Sequence, residues 1–531
     1  MAKEEEDTPL EATTEMPPEI HKVQDERTPE IRVHVKGRRR LNEALLERFI
    51  GPLRMCDTYG ELHDTLNQTI RDLEDLDAFE DIRATVDHMP GSPAGSADVT
   101  IEVVEKQRNY EAGVDMNRMG EPGADATMNI PYVFGGLSSM SLRFNKAWPG
   151  SQMLNATLTI PKLRGVGITP ASEGWELDLE ATRDTNDHRT YSSCKGISTG
   201  LAAVFTDRAT GRHTITLSSA LRDLLPEIQP AQQAEDGGGR EANKKPSASY
   251  AVRGMPLRNM KTSLKYAYTR DNLLFDDKEE GSSHAIGGSL LHAYVDLTPG
   301  VLGDVKFLKL AGLSQYCGYL WKEHDWTWQA GLSGGVILHP PTKGQSPPVT
   351  PYQDRFFLGG GAVDPISGMR GFRYHSAGPA APRVGGAPGG VQTYDYTGGD
   401  MLLTAHAQAS MPITWLNNIK TSSNDTPPKD YAEEFDDDRD DGTLSLNLRA
   451  FAFAQAGCLI EKPQFNRKRL FEDAKEGLRS SAGIGLSLPF LGTNLLELSL
   501  AFPMVKKASD AIQRVQLGAR IRGLLPTASW S

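Results

Sequence analysis

The sequence predicts a transmembrane β-barrel of about sixteen antiparallel strands, preceded by one small α+β domain. Three observations predict it. From Asn109 to Gly523 short runs alternate apolar and polar residues with the two-residue period of a strand. No apolar run approaches the roughly twenty residues of a membrane helix. A Gly/Pro-rich interval from about His339 to Gly399 breaks the strands, and a loop of that length inside a compact domain is functional or disordered.

The 531 residues suffice for one large domain and a smaller one. The formal charge of -12 gives no reason to expect a nucleic-acid partner. The mean hydropathy of -0.42 is that of a soluble protein, but a barrel shows lipid only alternate residues and escapes this index.

In chain order, residues 1–28 are polar and acidic, rich in Pro and Glu, and are expected to be disordered. The start lacks both the basic patch and apolar core of a secretory signal and the Arg-rich character of a transit peptide. For a barrel, the missing signal peptide argues against a bacterial outer membrane. In residues 29–108, Ile31 to Val35 alternates as a strand. Leu41, Leu45 and Phe49, then Leu62, Leu66, Ile70 and Leu73, keep helical spacing, and Phe79 to Val86 and Val99 to Val103 read as two more strands. Residues 109–525 form the barrel. Its clearest strand is Leu444 to Gln455; Leu496 to Phe502 and Val515 to Ile521 alternate as well. A soluble β-sandwich has the same alternation with its apolar side inward; the strand count favours the barrel. The inserts Pro226 to Pro246 and Thr421 to Gly442 join the seventh strand to the eighth and the twelfth to the thirteenth.

Gly331-Leu332-Ser333-Gly334-Gly335 fits a nucleophile elbow but lies in a strand-like run with no helix following. Asp436 to Asp441 fails as a calcium loop because Arg439 occupies a ligand position. Cys56, Cys194, Cys317 and Cys458 are widely spaced and read as free thiols. The histidines show no ligand spacing. No cofactor, metal site or catalytic residue is expected, and the chain does not read as an enzyme; a soluble β-rich enzyme is the alternative from another class.

The long loop carries Arg355-Phe356-Phe357-Leu358-Gly359-Gly360 and then Met369-Arg370-Gly371-Phe372. This pattern resembles the signature loop of the outer-membrane protein assembly-factor (bacterial surface antigen) superfamily. The C-terminal run from Leu496 to Ile521 is similar to its mitochondrial branch, the core barrel of the sorting and assembly machinery. The likeness spans about Ile31 to Leu525, and it makes the N-terminal module a polypeptide-transport-associated (POTRA-like) domain. It implies that the loop, about 339–399, lies inside the barrel with Arg370 docked on the wall. In the family the arginine meets carboxylates at positions that correspond to Gln408 and Gln455. Both are amides here, which weakens the expected ion pair to charge-assisted hydrogen bonds. Glu497 is the inward carboxylate that could compensate. The ends of the sheet are the implied lateral gate, through Tyr110, Gly113, Val114 and Met116 on one side and Val515, Leu517, Gly518 and Ile521 on the other. Gly113 and the polar residues around it make the first strand weak.

The resemblance implies an insertase or foldase that assembles β-barrel precursor proteins into the mitochondrial outer membrane. It implies accessory subunits and the lipid bilayer as partners, and an N-terminal domain in the intermembrane space. A polypeptide-translocating barrel and a metabolite porin are the alternatives.

Overall fold

Alternation along each strand decides which face of the wall meets its surroundings, and here the polarity is inverted relative to a soluble sheet. The computed structural model describes residues 31–520 apart from 38, 41–42, 75–78, 89–95, 117–121, 134–137, 149, 161–173, 208–209, 229–246, 276–283, 341–347, 362–365, 386–392, 414–447, 464–466 and 491–493. The N-terminal segment 1–28, the insert Thr421 to Gly442, most of Pro226 to Pro246, Leu444 to Asn447 and Ile521 therefore lie outside the described residues.

The N-terminal unit runs β1 (Ile31–Lys36), α1 (Glu43–Ile50), α2 (Tyr59–Glu74), β2 (Phe79–His88) and β3 (Ala97–Glu105). Its three strands lie in the order β1-β3-β2, with β1 parallel to β3 and β2 antiparallel to it. The central strand buries alternate residues, and Val99, Ile101 and Val103 pack against Leu46, Leu62, Leu66 and Leu73 of the two helices. Each such side chain contributes about 1.5–3 kcal/mol. Strand, two helices, two strands is the order the spacing predicts.

The second unit is built on a sixteen-stranded sheet whose strands follow one another as neighbours in chain order. They are β4 (Asn109–Met116), β5 (Pro122–Ile130), β6 (Ser139–Ala147), β7 (Gln152–Ile160), β8 (Trp175–Asp187), β9 (Cys194–Asp207), β10 (His213–Pro226), β11 (Arg258–Phe275), β12 (Ala285–Thr298), β13 (Phe307–Trp321) and β14 (Trp326–Leu338). After the short loop strands β15 (Gly371–Phe372), β16 (Ala380–Pro382) and β17 (Tyr394–Tyr396) come β18 (Met401–Pro412), β19 (Arg449–Ile460), β20 (Leu478–Phe490) and β21 (Asn494–Val505). A two-residue strand β22 (Ile512–Gln513) precedes the last, β23 (Val515–Arg520). Two further helices, α3 (Tyr250–Arg253) and α4 (Arg467–Gly477), lie between strands. The clear strand of the sequence begins at Arg449.

On the outer face Leu217, Leu264, Leu291, Leu332, Leu403, Leu498 and Leu517 are exposed; on the inner face Arg222, Lys261, Asp296, Lys309, Glu497 and Gln516 are buried. In water this arrangement loses the transfer free energy of every exposed leucine. Beside acyl chains it is the stable polarity of a transmembrane barrel. The sandwich alternative, apolar side inward, does not fit. Among the described residues no helix is long and apolar enough to cross a membrane.

The loop leaves β14 and returns to β18, which pair directly with each other at Gly335 and Leu402. It packs on inward-facing side chains. The GxSxG motif lies inside β14, where Ser333 is a strand residue facing inward.

Leu264→Arg is expected to lower the stability of the barrel in bilayers by about 2–4 kcal/mol, read as a lower urea midpoint of the heat-modifiable form. An unchanged midpoint would place Leu264 away from lipid.

Candidate functional site

The first leg of the loop is fixed by charge. Asp354 is fully buried; its carboxylate accepts from Arg222 Nη1 and Nη2 at 3.0 and 2.8 Å and from Lys261 Nζ at 2.9 Å. Lys261 also bonds Asp296 at 2.8 Å, and Lys309 Nζ donates to the Asp354 carbonyl at 2.9 Å. Three wall cations from β10, β11 and β13 thus converge on one loop residue. Beyond it, Phe356 and Leu358 fill hollows left by wall glycines: a Cβ at Gly335 would lie 2.4 Å from the Phe356 ring, and one at Gly457 3.0 Å from Leu358. Gly359 and Gly360, at φ +119° and +106°, turn the chain in a region that L side chains avoid. The leg then zips onto its return through Gly359 N to Ser367 O (3.1 Å) and Gly360 N to Phe372 O (3.1 Å).

Arg370 follows on the return leg and is only 4% exposed. Its Nη2 donates to Glu497 Oε2 at 2.5 Å and to Gln408 Oε1 at 3.4 Å. Its guanidinium carbon lies 5.3 and 4.8 Å from the ring centroids of Phe451 and Phe453. These rings sit over Gly485 and Gly483, their cross-strand partners on β20, where a Cβ would come within 2.4 and 2.8 Å of them. The backbone N–H of Arg370 donates to Gln455 Oε1 at 2.8 Å. All three expected docking residues, Gln408, Gln455 and Glu497, therefore touch Arg370. The ion pair is not lost with the two amides: the fifteenth strand supplies its carboxylate. Desolvating the arginine is offset by a charge-assisted bond of about 1.5–3 kcal/mol and by two aromatic faces at about 0.5–2 kcal/mol each.

The next residues reach the last strand. Gly371 and Phe372 form a small antiparallel ladder with Gln513 and Ile512. Gln516 accepts from Gly371 N at 3.0 Å through Oε1 and donates to the Phe372 carbonyl at 2.5 Å through Nε2. Its amide thus takes the place of a neighbouring strand's backbone. Arg373 N donates to Ala511 O at 2.9 Å, and Gly378 N to Asp510, which Arg479 holds at 2.6 Å. Gly371 has φ +95°, and a Cβ there would meet Pro503, Ala501 and Ser481 at 3.2–3.4 Å. Ser333 Oγ donates to the Ile366 carbonyl at 2.7 Å, so the serine of the apparent elbow motif secures the loop. Met369 is buried in the core under the loop.

The two ends of the sheet are β4 and β23. They span eight and six residues, against eighteen for β11. Among the described residues no ladder joins them. Tyr110 and Val114 are 66% and 88% exposed, Val515 and Leu517 59% and 61%, while Gly518 is buried. Gly113 faces Asp125 on β5. Met116 ends β4. The loop thus holds the strand that ends the sheet.

Reading the sequence missed Asp354, Gln516, Ser333 and the wall cations Arg222, Lys261 and Lys309. A signal existed for two of them. Asp354 directly precedes the Arg-Phe-Phe run, and Gln516 is a polar position on an alternating strand.

Fold and loop together define a transmembrane barrel with an arginine loop seated on its inner wall. The Omp85 superfamily domain matches residues 133–521, and the chain belongs to that superfamily. Among solved structures it is similar to BamA from Haemophilus ducreyi lacking POTRA domains 1–3, at 17% identity and a TM-score of 0.64, with 92% of this chain and 84% of that chain covered. It also matches CdiB from Acinetobacter baumannii at 10% identity and a TM-score of 0.41, covering 93% of this chain and 73% of that one. A search of curated proteins finds no match.

Glu497→Ala leaves Arg370 buried without its carboxylate and is expected to weaken loop docking by about 3–5 kcal/mol. Gln408→Ala should cost about 0.5–1.5 kcal/mol. Hydrogen exchange at the Gly371 amide reads both, and equal effects would contradict the ranking.

Acid is expected to loosen the loop. His188, in the connection after β8, packs 5.2 Å from Tyr352 of the first leg and bonds Tyr191 through Nδ1 at 2.6 Å. Burial pushes its pKa from 6.5 down to about 4. A lowered histidine pKa stabilises the fold above the ordinary value, and this contribution is lost as pH falls from 6.5 towards 4. His375, stacked on Phe357, is shifted the same way by burial. Exchange of loop amides should rise across that window, less steeply in His188→Gln; a flat profile in the unmodified chain would refute the assignment.

Proposed function

We propose that this chain folds and inserts β-barrel precursor proteins into the mitochondrial outer membrane by adding strands at the seam between β4 and β23. The observation that carries this is the clip between the arginine loop and the last strand, made through Gln516 and the Gly371–Phe372 ladder. A terminal strand held from within, with its far edge unpaired against β4 among the described residues, suits a device that opens and closes. An edge offers N–H and C=O groups that an incoming strand satisfies. Left unpaired in lipid, each costs several kcal/mol, so templated pairing lowers the barrier to insertion. No covalent step is needed.

A metabolite porin requires an open lumen, and the seated loop with its Asp354 and Arg370 contacts argues against that use. The mitochondrial setting is supported by the C-terminal run from Leu496 to Ile521. Accessory subunits are expected partners, and the N-terminal domain lies in the intermembrane space in this proposal.

Two experiments test it. Cysteines in Gly113 to Met116 should crosslink to a cysteine in the final strand of an arriving precursor, and a disulfide between β4 and β23 should block assembly until reduced. Full assembly with the seam verifiably locked would rule out lateral opening. For sidedness, strand parity assigns the β10–β11 and β18–β19 connections to opposite ends of the strands. An epitope tag in the first should be reached by antibody on intact mitochondria and a tag in the second should not; the reverse pattern would invert the orientation.

A further inference from the structure

Strand β19 is buried on both faces near its end, and the two covers differ. Its parity is set by Phe451 and Phe453, which are buried inward, and by Ala452 and Ala454, which are exposed outward. Gly457 and Leu459 face in and are covered by the loop, through Leu358 and Gly378. Cys458 faces out, towards lipid, yet is 9% exposed. Its cover is α4: Cys458 Sγ donates to the Ala474 carbonyl at 3.3 Å, and a Cβ at Gly477 would lie 3.0 Å from that sulfur. An eleven-residue helix thus lies against the outer face of the wall.

The helix is held there from its C-terminal end. Arg479, 1% exposed, donates through Nη1 to the carbonyls of Glu476, Gly477 and Leu478 at 3.3, 3.1 and 3.1 Å, satisfying groups that a helix leaves open. Lys507 Nζ bonds Glu476 at 3.1 Å. Leu470, Ala474 and Gly477 are half-buried on the wall side, with Asp473 beside them. On the opposite side Lys468, Phe471 and Lys475 share a face at helical spacing, with the exposed Glu472 next to Phe471, which is itself 74% exposed.

A helix that covers a lipid-facing position must turn its far side to whatever surrounds the barrel. The wall beside it remains apolar, with Leu478, Phe502 and Met504 exposed, and then becomes cationic at Lys506 and Lys507. A phenylalanine between two lysines continues this change from acyl chain to headgroup. We infer that α4 is an interfacial helix that docks on an anionic lipid surface, with Phe471 at the acyl boundary and Lys468, Arg469 and Lys475 among phosphate groups. Continuity with the barrel's lipid face favours a bilayer over a protein partner. The inference rests on the barrel fold and is independent of the assembly function.

The test uses the full chain with Phe471→Cys, spin-labelled and placed in nanodiscs of phosphatidylcholine alone or with phosphatidylglycerol. The four native cysteines are buried, and the unmodified protein serves as the labelling control. Heat-modifiable migration confirms folding, and Lys475→Cys supplies a second label position. Collisions with oxygen should exceed those with a nickel chelate at position 471, and the contrast should grow with phosphatidylglycerol. Lys468→Glu combined with Lys475→Glu should remove that growth. Nickel-dominated collisions in both lipids would overturn the inference. So would protection that arises only when a partner protein is added, which would make the face a protein-docking surface.

Discussion

A single buried charge organises the inner wall. Arg370 cannot shed its proton, so the wall must answer it where bulk water is displaced. Glu497 is the sole Asp or Glu on the described strands from β18 to β23, and it is the group that answers. Around it the wall is shaped for the arginine: Phe451 and Phe453 present their faces, and each ring has room because a glycine stands opposite on β20. A side chain at Gly483 or Gly485 would push these rings away, so two backbone choices on one strand serve a cation held by another segment.

Seating the arginine fixes more than the loop. Arg370 and Gly371 are adjacent, so the ion pair to Glu497 and the Arg370 N–H bond to Gln455 hold the Gly371 N–H and the Phe372 carbonyl near Gln516, which bonds both. Strand β22, just ahead of the last strand, pairs with the loop, and β23 pairs with β21 from Val515 onward. The last strand is therefore shared between the wall and the loop. At the other end of the loop, Asp354 among Arg222, Lys261 and Lys309 supplies an independent anchor on distant strands. Release of the arginine leg need not release the whole loop.

The class of fold was legible because period-two alternation survives in single strands such as Leu496 to Phe502. Which side faced lipid was not, since a sandwich and a barrel share the pattern. Burial decided it, with Leu264 outside and Lys261 inside the same strand. The arginine loop was legible through glycines at Gly359, Gly360 and Gly371, whose positive φ the structure requires. Partners across the lumen were harder. Glu497 stood out as a lone carboxylate, whereas Arg222 and Lys261 read as ordinary polar strand positions, because their partner Asp354 is 132 and 93 residues away in sequence. Ser333 was hidden by a motif belonging to another chemistry; its bonds to the Ile366 carbonyl and to the Thr404 hydroxyl explain the residue.

The central claim is that the seated arginine holds the sheet's last strand in place. Spin labels at Val114 and Leu517, both exposed, report the separation of the two sheet ends by pulsed dipolar spectroscopy in nanodiscs. The account predicts a narrow distance distribution in the unmodified chain and a broader, longer one in Arg370→Ala with the barrel still folded. An unchanged distribution, with loop release confirmed by hydrogen exchange at Gly371, would contradict the claim and separate the loop from the seam.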